Sequence, residues 1–199
     1  MKLEQEITVL VNCTYDELYR QLINKNFEIK EEYEVNDDYM IESNIDLHSM
    51  SKLDILKKCI LVRNIIGIKK VLLYKYKKYA YNGDILEQGK IECPIDDIKK
   101  AIKFMEAINY KKLFNICDKC IVFANNKTEL IVQLVNEKYI FIEMESKGDY
   151  VDTEYNNIED MKKALDSYNL PYNKNNYFVK KAELMLDEIL KKWISYQNI

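Results

Sequence analysis

Glu4 and Glu6 near the start of the chain, and Glu143 and Glu145 late in it, form two Glu-x-Glu pairs, set in the alternating stretches "LEQEITVLV" and "YIFIEMES". On a strand, residues two apart project from the same face about 7 Å from each other. Carboxylates held that close repel unless water or a cation lies between them. Carboxylate oxygens are also the hard donors that Mg2+ and Mn2+ prefer, so a shared acidic face is a candidate metal site. The same alternation is also how the wet side of a half-buried sheet reads.

Other chemistries find little support. The chain has no G-x-S-x-G, no P-loop and no G-x-G-x-x-G, and its four glycines offer no Gly-rich phosphate cradle, so a phosphate site would have to be built from side chains. Cys13, Cys59, Cys93, Cys117 and Cys120 are an odd number scattered through apolar runs, which reads as reduced, packed thiols. Cys117-x-x-Cys120 has no second pair to complete a zinc site, and the single histidine, His48, reads as a surface or turn residue.

The elements that must position the acids follow from periodicity. A strand over about 2–12 leads to a helix capped by Thr14, with Glu17 completing a capping box. Extended segments follow at "FEIKEEYEV", "DYMIESNI", "KKCILVRNI", "KKVLLYKYKKY" and "ILEQGKIEC", with Asn82-Gly83 as a hairpin signal. Pro94 ends the last of these and introduces a helix, "IDDIKKAIKFMEAI". Strands are expected at "LFNICDKCIVFA", "ELIVQLV" and "KYIFIEME", with turns at Asn125-Asn126 and Asn136-Glu137, then helices near 157–168 and 177–195. There is no βαβ alternation, repeat or linker. The expectation is one α+β domain spanning 1–199, with about eight antiparallel strands whose sheet closes into a barrel, and flanking helices.

Charge is informative locally. The 199 residues include 48% hydrophobic side chains, enough for a core, and a net charge of −3 that argues against general nucleic-acid binding. No signal-peptide core and no run of about 18 apolar residues occurs, so the chain reads as cytoplasmic, with no membrane partner. Arg63 shares a strand face with Cys59 and Leu61; Lys69, Lys75 and Lys77 share one with Val71 and Leu73; Lys90 and Glu92 point to one side of the next strand. With those faces turned inward, cations on central strands and acids on outer ones would hold a polyanion and its metal. Turned outward, the lysines would instead guard an exposed strand. The stripe Tyr74, Tyr76, Tyr79 and Tyr81 suits either base stacking or packing under a helix. The amphipathic C-terminal helix suits either a barrel face or a homodimer surface.

Taken in order, Glu4-x-Glu6, "ILVRN", "VLLYK", "EQGKIECPIDDIKKAIKFMEAINYKKLF", "ELIVQLVNEKYIFIEME" and "YFVKKAELML" resemble the CYTH superfamily, the triphosphate tunnel metalloenzymes, over nearly the whole chain. Members include class IV adenylyl cyclases, thiamine triphosphatases and inorganic triphosphatases. The resemblance implies an eight-stranded antiparallel β-tunnel that binds a triphosphate through Lys and Arg and Mg2+ or Mn2+ through Glu.

Carried onto this chain, the resemblance makes Glu4, Glu6, Glu92, Glu143 and Glu145 metal ligands, with Glu4 and Glu6 as the catalytic pair, and Arg63, Lys75, Lys90 and Lys119 ligands of the triphosphate. It also marks departures. Thr8 stands where the signature has lysine, Leu61 where a first arginine belongs, Gln133 where the family usually has aspartate, and Asp118-Lys119-Cys120 where Lys-x-Arg is usual. Each lost cation removes charge-assisted hydrogen bonds of about 1.5–3 kcal/mol. The implied function is a metal-dependent phosphohydrolase acting on tripolyphosphate, ATP or thiamine triphosphate. The alternatives are a class IV-type adenylyl cyclase, or a noncatalytic nucleotide or polyphosphate binder.

Overall fold

Alternating burial along the strands decides which side chains this fold brings together. The computed structural model describes residues 5–79 and 85–197, and side chains over 5–76 and 89–191. Eight strands, β1 (Glu6–Leu10), β2 (Glu28–Glu42), β3 (Ile60–Ile65), β4 (Lys69–Tyr79), β5 (Ile85–Pro94), β6 (Tyr110–Ala124), β7 (Glu129–Val135) and β8 (Tyr139–Glu145), form one sheet in the order β1-β8-β7-β6-β2-β3-β4-β5. The helices are α1 (Tyr15–Asn24), α2 (Lys52–Lys57), α3 (Ile98–Ala107), α4 (Ile158–Ser167) and α5 (Lys181–Gln197). The eight-stranded antiparallel α+β expectation holds, and among the described residues no hydrogen bonds join the end strands β1 and β5. The expected Asn82-Gly83 hairpin turn lies outside the described residues.

The chain divides into two compact units. The first comprises residues 1–34, 77–89 and 118–179. Its core packs Ile7 and Val9 of β1, Leu130 and Val132 of β7, and Ile142 and Met144 of β8 against Leu18 and Leu22 of α1 and Met161 and Leu165 of α4. Because strand side chains alternate, burying these residues commits Glu6, Thr8, Gln133, Glu143 and Glu145 to the opposite face, and a one-residue slip would reverse that. The turns keep the register. Asn136 and Glu137 both adopt positive φ, 50° and 57°, as a two-residue hairpin between right-twisted strands requires. At the start of α1 the expected capping box is present, with Thr14 Oγ1 accepting from the Glu17 N–H and Glu17 accepting from the Thr14 N–H.

The outer edge of β1 is covered. Thr8 N–H donates to the Tyr177 carbonyl at 2.9 Å, Val179 N–H donates to the Thr8 carbonyl at 3.0 Å, and Asn12 N–H and the Leu10 carbonyl bond Pro171 and Asn173. This pairing corrects the expected start of the terminal helix. Residues 177–179 continue the sheet, so α5 begins only at Lys181. The strap is anchored by Asp166, whose Oδ1 accepts the hydroxyls of Tyr172 and, at 2.7 Å, Tyr177. Burial pushes the Asp166 carboxyl up, but those two donors outweigh it and hold it below the usual range. The stability this gives is present above the ordinary carboxylate range and is lost as pH falls through the depressed value. Asp166→Ala is expected to cost about 1–3 kcal/mol and to speed hydrogen exchange at the Val179 amide. Unchanged protection at Val179 would show that the strap does not depend on this anchor.

The second unit comprises residues 35–76, 90–117 and 180–199. Met40 of β2 and Val62 of β3 pack on Ala101 and Met105 of α3, whose N-cap Asp97 accepts from the Lys100 N–H. The β3–β4 hairpin turns at Gly67, which needs φ +77°. Leu61, Arg63, Val71 and Leu73 face away from α3. Two expectations are corrected here. The segments "FEIKEEYEV" and "DYMIESNI" are one continuous strand, β2, because Asn36, Asp37 and Asp38 bond Asn115, Arg63 and Lys112 rather than turning their own backbone. Residues 52–57 form α2, capped by Ser51 accepting from the Asp54 N–H, so the strand expected from Lys57 begins only at Ile60.

Candidate functional site

Glu6 stands directly opposite Glu145 across the β1–β8 ladder, and Thr8 opposite Glu143. Opposed and diagonal neighbours on one face lie within side-chain reach. Accordingly, one carboxylate oxygen from each of Glu6, Glu143 and Glu145 lies within 4.8 Å of the other two, and all three residues are half-buried. Three hard anionic donors converging on one point suit a Mg2+ or Mn2+ ion, which takes such oxygens at about 2.1 Å, after a small rotation of the side chains. Glu4, expected to join them, lies outside the described residues.

Neutral groups support this cluster. Gln133 on β7 is only 4% exposed and its Nε2 donates to Glu143 Oε2 at 3.2 Å. A carboxylate there would add a fourth negative charge, whereas the amide orients Glu143 without adding any. Tyr33 of β2 lies beside Cys120 and Glu143. Burial first, then those two neighbours, pushes its phenol far above its ordinary range, so it stays neutral. Thr8 is buried beside the acids, opposite Glu143.

The other site residues have different surroundings. In the second unit Arg63 donates from Nε and Nη2 to the two oxygens of Asp37, at 2.7 and 2.6 Å. Glu92 is not part of the acidic trio and forms an ion pair with Lys69 at 2.6 Å. Lys75 and Lys90 are half-buried, and Leu61 is buried in the apolar part of the face that carries Arg63. In the first unit Lys119 is exposed and points to the side of β6 opposite the buried Asp118 and Cys120. Cys117 and Cys120 likewise fall on opposite sides of that strand, consistent with all five cysteines being free thiols. His48 is an exposed residue of a short 3-10 turn.

The residues missed in the sequence are Asp37, Gln133 as a donor, and Tyr33. Asp37 sits in an Asn-Asp-Asp run that looks like a turn, and the only signal that could have found it is its parity with Arg63 on the neighbouring strand.

No family model matches the chain, and no curated protein matches its sequence. Solved structures do match its fold. A conserved hypothetical protein from Pyrococcus furiosus is 18% identical, with 90% of this chain and 99% of that one covered and a TM-score of 0.62. A Hippeastrum protein described as an adenylyl cyclase candidate with a dominant triphosphatase activity is 13% identical, with 93% and 95% covered and a TM-score of 0.60. A Vibrio parahaemolyticus protein described as an adenylate cyclase candidate is 12% identical, with 92% and 98% covered and a TM-score of 0.56. This chain has the fold of these proteins and is far from them in sequence.

Proposed function

We propose that this protein is a metal-dependent triphosphate-processing enzyme, most simply a phosphohydrolase of inorganic or organic triphosphates. The observation that carries the reading is the convergence of Glu6, Glu143 and Glu145 on one face of the first unit. The fold shared with proteins described as cyclase candidates and as triphosphatase-active supports it.

In this reading Glu6, Glu143 and Glu145 would hold Mg2+ or Mn2+, with Glu4, outside the described residues, as a further ligand. The chemistry such an ion would supply there is to offset the negative charge of the phosphate oxygens and of the transition state. Gln133 orients the Glu143 side chain by donating to one of its oxygens. Tyr33 keeps its proton and so offers a neutral hydroxyl rather than a further anion. Arg63, Lys75 and Lys90 supply positive charge to phosphate oxygens, as donors in charge-assisted hydrogen bonds. Glu92, paired with Lys69, moderates the charge of its own strand face rather than joining the trio.

The test is phosphate release from tripolyphosphate with Mg2+ or Mn2+, with and without chelator, assayed together with cyclic AMP and pyrophosphate from ATP. Chelator-sensitive phosphate release supports the hydrolase. Cyclic AMP without phosphate release would transfer the same acids to a cyclase. Tripolyphosphate binding with no product from either substrate would leave a binding protein. Gln133→Leu is expected to weaken Mg2+ affinity by about 10–100-fold in calorimetry, because Glu143 loses its orienting donor. An unchanged affinity would remove Gln133 from the site.

A further inference from the structure

On the second unit's face opposite α3, side chains form rows across β2, β3 and β4. Tyr39, Leu61 and Leu73 make one row, and Asp37, Arg63 and Val71 the next. Tyr39, Leu61, Leu73 and Val71 are buried, and the Tyr39 ring stacks on Phe114 with centroids 4.4 Å apart. Arg63 therefore stands at the border of an apolar layer, with its side chain 16% exposed and that of Asp37 only 5% exposed. Its Nε and Nη2 each grip a different oxygen of Asp37. A guanidinium uses this same two-pronged arrangement to grip two oxygens of a phosphate.

We propose that Asp37 is an internal competitor for phosphate. Its carboxylate occupies the fork of Arg63 and thereby sets the affinity of this face for phosphoanions. The inference rests on the reading of Arg63 as a triphosphate ligand, and it makes Asp37 the residue that determines how strongly that ligand acts. A phosphoanion reaches Arg63 by displacing a carboxylate already in place, so the native chain favours anions of high charge density, such as a triphosphate chain, over a single phosphate. Lys75 and Lys90, half-buried in the same unit, supply the remaining positive charge.

The experiment is calorimetric titration of the full chain with inorganic tripolyphosphate in chelator, so that metal at the acidic trio does not contribute. Asp37→Asn keeps the shape and one acceptor for Arg63 but removes the competing charge. It is expected to bind at least about tenfold tighter than the native chain. The double variant Asp37→Asn/Arg63→Gln is expected to lose that gain. Should Asp37→Asn not fold, Asp37→Ser carries the same expectation. Should neither fold, the Arg63 Nε–H resonance of the native protein is expected to shift on saturation with millimolar tripolyphosphate, and an unmoved signal overturns the proposal. Equal affinities of native and single variant, or a gain that persists without Arg63, also overturn it. A gain in a chain that releases no phosphate leaves the inference standing and removes the hydrolase. Release by the native chain with no gain in the variant does the reverse.

Discussion

Glu6→Gln is expected to lower Mg2+-dependent phosphate release by at least about a hundredfold while leaving the metal-free protein as stable as the native chain or more so. The loss follows from removing one of three converging donors from a cation that offsets charge in the transition state. The stability gain follows from the same geometry. Three carboxylate oxygens within 4.8 Å repel one another, and for half-buried groups partly screened by water the relief is up to about 1 kcal/mol. For a chain of this length that is a rise of about 2–4 °C in melting temperature in chelator. Added Mg2+ should reverse the order, because the native chain gains more from an ion it binds more tightly. A variant that retains its activity would show that the three acids are merely a solvated strand face, and one that melts lower in chelator would show that a neighbour offsets the Glu6 carboxylate.

Arg63→Ala is the substitution with the largest expected cost in stability. It leaves the Asp37 carboxylate, 5% exposed, without the guanidinium that satisfies both its oxygens, and breaking such a pair from one side costs about 3–5 kcal/mol. The denaturation midpoint in urea should fall accordingly. Replacing both partners, Asp37→Leu with Arg63→Met, should restore most of the loss, because apolar side chains suit a layer already built from Leu61, Val71 and Leu73. A loss below about 1 kcal/mol in the single variant would mean that water reaches Asp37 well enough to replace the arginine.

What could be read from the sequence depended on whether a residue's partner was local. The face of the Glu-x-Glu pairs was legible because alternation ties Glu6 to Ile7 and Val9, and Glu143 and Glu145 to Ile142 and Met144, whatever the rest of the chain does. The α1 cap was legible because Thr14 and Glu17 are three residues apart and satisfy each other. Asp37 was not legible, because the residue that makes it a strand residue rather than a turn residue lies 26 positions away. The start of α5 was misplaced for the same reason. Residues 177–179 fit a helical pattern, but Thr8 offers their backbone a ladder instead. Lys119 shows the limit of matching by motif, since a shift of one position on β6 exchanges an interior side chain for an exposed one.

The strap over β1 also imposes an order on assembly. β1 carries Glu6, yet its neighbours on the two sides are β8, at residues 139–145, and the segment 171–179. β1 must therefore wait for partners made more than a hundred residues later, and these are long loop closures of the kind that slow folding. Once residue 145 has been made, β1 can pair with β8 and bring Glu6 to Glu145, but the outer edge of β1 stays open until residues 171–179 follow. A chain cut shortly before that point keeps the β1–β8 ladder but leaves the outer backbone groups of Thr8 exposed as a pairing edge.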